Sequence, residues 1–167
     1  PAHLKAIAFD KTGTLTRGVL QVERVVPLHG GSEPAVLQMA VSLEAQPDHP
    51  VARAILAHAK DQGLQPLPVT EFEIVPGKGA RGREGAQRIW AGSPRWAEEL
   101  GHGSPALQDA LRQVSETGAT VILVGNEAGT QGLIALADGV RAESAEVLRR
   151  LKEAGVQHLV MLTGDHR

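Results

Sequence analysis

The feature that most constrains this chain is a short apolar run, Ala6-Ile7-Ala8-Phe9, that ends in Asp10-Lys11-Thr12-Gly13-Thr14-Leu15-Thr16. Such a run closing on a carboxylate, followed by hydroxyls and glycine, predicts a buried strand over 4–9 whose tip carries a polar loop over 10–18. At the other end the spacing predicts a helix over 142–154, supported by the Glu146 to Arg150 pair and stopped at Gly155. The apolar run 158–162 then reads as a strand that leads into Thr163-Gly164-Asp165. A strand and loop at the start and a strand–helix–strand return at the end are halves of one parallel α/β layer.

Between these halves the pattern changes. Val-rich residues 19–28 read as a strand, and Gly30-Gly31-Ser32 as a turn with Ser32 capping a helix over 34–45. Pro47-Asp48-His49-Pro50 breaks it, and a second helix over 51–62 stops at Gly63. Strands are expected over 71–75 and 88–91 with a glycine-rich bend between them. A short helix opens at Ser93-Pro94 and a longer one at Ser104-Pro105, ending near Gly118, and strands 120–124 and 132–137 flank a hairpin at Gly125–Gly129. This block is an inserted α+β domain.

Composition removes several function classes. The net charge of −2 offers no field for nucleic acid, and two Trp, two Phe and no Tyr are too few for a base-stacking surface. The absence of Cys excludes disulfides and thiolate metal sites. No apolar run approaches the ~20 residues that cross a bilayer. The start at Pro1 and the stop at Arg167, just past a functional-looking strand tip, read as the ends of an excised piece.

The chemistry centres on Asp10. A carboxylate at the carboxyl end of a parallel strand stands where open α/β sheets hold ligands. Lys11 adds positive charge, while Thr12, Gly13 and Thr14 supply hydroxyls and bare backbone to surround a phosphoryl group. Asp is itself a nucleophile for phosphoryl transfer. The seven residues 10–16 resemble the phosphorylation motif of P-type ATPases, the ion pumps that work through an aspartyl-phosphate; a chance match is of order one in a billion per start point. Thr12 stands where related phosphatases carry a second Asp, which disfavours a soluble phosphatase because a hydroxyl is a poor base.

The resemblance extends along almost the whole chain and implies a fold. It is α/β, a partial haloacid-dehalogenase-like Rossmannoid phosphorylation domain (1–17 and 137–167) with an inserted α+β nucleotide-binding domain (18–136), an antiparallel sheet flanked by helical hairpins. Ser42-Leu43-Glu44 with Asp48-His49-Pro50 resembles the S-x-E…HP element of heavy-metal-transporting P-type ATPases. It implies that Glu44 and His49 meet the purine, with Gly77 and Gly79 of a G-x-G element and Gly92 as close backbone. Ser93 stands where several family members have Asn. Asp138 and Arg141 match a D-x-x-R segment at re-entry, and Thr163 and Asp165 a T-G-D element.

The implied site is therefore catalytic at Asp10, Lys11, Thr12, Thr163 and Asp165, with Asp10 and Thr12 as magnesium ligands. Glu44, His49, Gly77, Gly79, Gly92, Asp138 and Arg141 bind nucleotide. ATP and Mg²⁺ are the implied cofactors. The implied partners are ATP or ADP, the pump's actuator and membrane domains, and a heavy-metal cation bound elsewhere; nucleic acid is not among them. The implied setting is a cytoplasmic segment of an integral membrane protein. The wording at 42–50 and Gly92-Ser93-Pro94-Arg95 leans toward zinc, cadmium or lead over copper. The G-D-G-x-N-D element with a further magnesium Asp, and its preceding Lys, do not occur in residues 1–167. Without them the chain is expected to bind nucleotide yet form the aspartyl-phosphate poorly. A nucleotide-binding module without catalysis is the alternative from a different class.

Overall fold

The computed structural model describes residues 6–10, 16–44, 49–115, 117–140, 142–156 and 158–162. Four helices start by one local device, a side-chain acceptor followed by proline in the first turn. These are α1 (Glu33–Leu43), α2 (Pro50–Asp61), α3 (Pro94–Glu99) and α4 (Pro105–Ser115). Ser32, His49, Ser93 and Ser104 respectively accept from Ala35, Val51, Trp96 and Leu107 N–H groups at 3.1–3.4 Å. Proline costs nothing there because its missing N–H would have no helical partner. A fifth helix, α5, spans Ala142–Glu153.

The strands are β1 (Ala6–Asp10), β2 (Thr16–Pro27), β3 (Val69–Val75), β4 (Gly79–Glu84), β5 (Gln87–Gly92), β6 (Thr120–Asn126), β7 (Gly129–Val140) and β8 (His158–Leu162). They form a six-stranded sheet in the order β2-β7-β6-β5-β4-β3 and a two-stranded sheet of β1 and β8. The pairs from β3 through β7 are antiparallel, whereas β1 and β8 are parallel. The chain separates into two compact units, one of Pro1–Leu20 with Asp138–Arg167 and one of Gln21–Ala137.

Alternation along β5, β6 and β7 divides the core of the larger unit. Trp90, Leu123, Leu133 and Ala135 face Trp96 of α3 and Leu107, Ala110 and Val114 of α4. Ile89, Val124, Ile134 and Leu136 alternate with them, and the near-contact of Gly132 with Val36 places α1 on that second face. The inward positions expected on α1, Val36, Leu37, Ala40 and Val41, are all buried. On α2, Ala52, Ile55 and Ala59 are buried, whereas Leu56 is half-buried and Ala54 takes an inner place instead.

Two expectations need correction. The glycine-rich bend between β3 and β5 is the full strand β4, paired on both sides. Composition hid it, because Gly79-Ala80-Arg81-Gly82-Arg83-Glu84 carries no apolar alternation. The flanking strands supply the pairing, and Gly82 admits β3 so closely that a Cβ there would lie 2.3 Å from Val69. Strands β2 and β7 are also longer than expected, since β2 begins at Thr16 and β7 runs on to Val140.

Candidate functional site

A groove of about 420 Å³ opens on the larger unit, and five residues singled out from the sequence line it: Glu44, His49, Gly77, Gly79 and Gly92. They come from four separate places, the end of α1, the start of α2, the β3–β4 turn with the head of β4, and the end of β5. Asp138 does not line the groove; it lies half-buried on β7 in the other unit. Lys11, Thr12, Arg141, Thr163 and Asp165 lie outside the described residues.

Glu44 is the C-cap of α1, its N–H bonded to the Val41 carbonyl. Burial pushes its carboxyl pKa up from the ordinary 4.5 to about 7, so near neutrality the group both donates and accepts. Ser42, two residues earlier, fixes the end of that helix. Its hydroxyl accepts from Leu67 N–H at 3.0 Å, and donates to the Gln38 carbonyl at 2.8 Å or to Glu84 at 3.1 Å. The Gln38 amide reaches the Gln65 carbonyl at 2.8 Å, so the α2–β3 connection is tied to α1 twice.

His49 caps α2 through Nδ1, which accepts from Val51 N–H at 3.3 Å. That bond needs an unprotonated Nδ1 and therefore leaves Nε2–H as the donor available to a ligand. The ring is exposed at the groove, so one side chain serves both as helix cap and as groove wall.

The glycines differ in what they do. A Cβ at Gly79 would fall 2.0 Å from the Ala91 carbonyl oxygen, and one at Gly92 2.4 Å from the Trp96 ring. Those two positions, paired across β4 and β5, close the groove wall by admitting protein backbone and an indole. Gly77 is the open one. Its φ of +71° suits glycine, and nothing lies within 4 Å of where its Cβ would be. Ser93, where an amide was a family alternative, spends its hydroxyl on capping Trp96 N–H.

Sequence reasoning passed over the apolar part of the lining. Phe72 and Ile74 line the groove and remain 36% and 44% exposed on the edge strand β3. The alternation of Phe72 and Ile74 with Glu71 and Glu73 was the signal that the sequence offered. They offer the flat, desolvating surface that a base requires, next to polar groups at Glu44 and His49.

In the smaller unit, parallel pairing sets Asp10 beside Leu162 at the carboxyl ends of β1 and β8.

A roomier groove of about 490 Å³ lies on the α3 side, bordered by Trp90, which stacks on His102 with centroids 5.5 Å apart. Its rim carries Glu71, Glu73 and Glu127, and its Arg81 is already bound to Glu73 at 2.7 Å. Three carboxylates against Arg88 and a spent guanidinium make it the poorer host for phosphate, so size does not decide between the two grooves.

A parallel strand pair ending in a carboxylate, interrupted by a large α+β insertion, defines a class of hydrolase. The chain belongs to the haloacid dehalogenase-like hydrolase family, which matches residues 4–167. Within that class it is similar to metal-transporting P-type ATPases. It is 40% identical to copper-exporting P-type ATPase B of Archaeoglobus fulgidus over 98% of this chain and 23% of that protein. A zinc-transporting PIB-type ATPase in its E2.Pi state superposes with a TM-score of 0.83 at 31% identity, over 97% of this chain and 26% of the other. The catalytic domain of the CPx-ATPase CopB-B, in a study of conformational changes upon nucleotide binding, gives 0.63 at 26% identity, over 98% and 54%. The chain thus spans about a quarter of the length of the full pumps it resembles. The pairing of a copper exporter with a zinc transporter leaves the lean toward zinc, cadmium or lead undecided. Among the described residues no helix is long and apolar enough to cross a membrane.

Proposed function

We propose that this chain is the ATP-binding and autophosphorylation segment of a heavy-metal cation-transporting P-type ATPase. The single observation that carries the reading is the gathering of Glu44, His49, Gly77, Gly79 and Gly92 around one groove. The base lies against Phe72 and Ile74, with Glu44 and His49 at its polar edge and the phosphates toward the glycine turn. One carboxylate oxygen of Asp10 attacks the γ-phosphorus as the bond to the bridging β,γ-oxygen breaks, giving the aspartyl-phosphate and ADP. Asp10 and Thr12 offer the hard oxygen donors that Mg²⁺ takes, and the ion, when bound, neutralises charge on the transferring phosphoryl group. Lys11, Thr163 and Asp165 belong to the same phosphoryl site, and Asp138 and Arg141 are nucleotide-binding residues. Coupling to metal export runs through actuator and membrane domains of the longer protein, which places this segment on the cytoplasmic side.

With little aromatic stacking and phosphates open to water, ATP affinity belongs toward the millimolar end, about −4 to −5 kcal/mol. Calorimetric titration of the chain and of His49→Ala with ATP tests the assignment. The variant should bind several-fold more weakly, a loss of about 1 kcal/mol. Equal affinity in a folded variant overturns it.

A further inference from the structure

Lys78 stands between the two glycines of the β3–β4 turn, and among the described ionisable residues that line the groove it is the one permanent cation, the others being Glu44 and His49. Its ammonium is engaged elsewhere, donating to Oε2 of Glu99 on α3, a residue outside the groove lining. Arg95 waits on the same carboxylate, its Nε 3.6 Å from Oε1. The Lys78 and Glu99 side chains are 43% and 39% exposed, so water reaches the pair and the partners can exchange. The backbone around Lys78 is pinned on both sides, since its N–H bonds to the Val75 carbonyl at 3.0 Å and its carbonyl accepts from Ser93 N–H at 2.9 Å. Only the side chain is free to swing, and it can do so without disturbing the glycine wall.

We propose that Lys78 is a phosphate-binding residue of the groove and that Glu99 competes with nucleotide phosphates for it. The inference rests on reading the groove as the nucleotide site. Two cations and one carboxylate leave this cluster with a net charge of +1, which attracts a polyphosphate to the open backbone at Gly77. When Lys78 turns to the phosphates, Arg95 stays with Glu99, so no carboxylate is left without a cation. The hydrogen bond from Lys78, ahead of the charges of Lys78 and Arg95, holds the Glu99 carboxyl below its usual range. Glu99 is therefore an anion throughout the neutral range and a standing competitor. It acts as a positioning residue that sets nucleotide affinity without touching nucleotide.

The experiment titrates ATP and adenosine into the unaltered chain, Lys78→Met, Glu99→Gln and the double variant, at low and high salt. For ATP at low salt, Glu99→Gln should bind about two- to five-fold more tightly and Lys78→Met more weakly by a similar factor. The double variant should match Lys78→Met, and high salt should shrink every difference. Adenosine, which has no phosphate, should bind all four alike. If adenosine binds and ATP affinity is the same in all four, the role of Lys78 is overturned while the nucleotide reading stands. If Glu99→Gln weakens ATP binding, competition is overturned. If the unaltered chain binds neither ligand, the nucleotide reading falls, and this inference with it.

Discussion

Among the described residues Glu44 is the one whose protonation departs furthest from its ordinary behaviour, and its effect on stability has a definite sign. Its folded pKa of about 7 exceeds the ordinary 4.5, so between those values the native state holds more protons than the unfolded chain. The associated stability is complete below about pH 4.5 and is lost as pH rises through 7. At ~1.4 kcal/mol per pH unit, the loss reaches about 3 kcal/mol at most. Glu44→Gln, which cannot ionise, should raise the unfolding free energy by about 1–3 kcal/mol at pH 8 and change little at pH 4. Denaturant curves at both pH values check this. The glycines separate in the same assay. Gly79→Ala drives a methyl into the Ala91 carbonyl and should cost about 2–3 kcal/mol, whereas Gly77→Ala meets only the positive φ and should cost about 1 kcal/mol.

The groove depends on how the end of α1 is held relative to β3 and β4. Ser42 is the knot, since one hydroxyl serves Leu67, Gln38 and Glu84 in three different segments. Ser42→Ala leaves the Leu67 N–H without its acceptor and should lower stability by about 1–2 kcal/mol. Because Glu44 follows two residues later, the same variant should weaken ATP binding in calorimetry although Ser42 does not line the groove. Other elements were readable locally. Ser93-Pro94, Ser104-Pro105 and His49-Pro50 announce helix starts because capping needs only a side-chain acceptor and a first-turn proline, both present in adjacent residues. β4 was not readable, because its own residues carry no apolar alternation and its strand state comes from pairing with β3 and β5 on either side.

The larger unit contains its own apolar core, from Leu37 and Leu43 on α1 to Leu133, Ile134 and Leu136 on β7. All five groove residues lie within Gln21–Ala137 as well. A polypeptide of residues 16–140, with β2 and β7 whole, should therefore unfold cooperatively and bind ATP with the affinity of the full chain. Calorimetric titration of the two side by side checks it. A polypeptide that folds and fails to bind would mean that the other unit completes the groove.

The sequence by itself determined the helix starts, the apolar strand that ends at Asp10 and the choice of Glu44 and His49 as groove residues. Those follow from neighbours a few positions apart, or from a motif whose residues are contiguous. Tertiary structure alone decided that Gly79 and Gly92 serve protein packing while Gly77 stays open. The contacts in question, with Ala91 and with the Trp96 ring, depend on strand register and on where α3 lands. It alone decided that Lys78 is held by a carboxylate twenty-one residues away. It alone exposed Phe72 and Ile74, because β3 is an edge strand with a sheet neighbour, β4, on one side. Local sequence carries propensity and chemical type, whereas burial and partnership are properties of the assembled chain.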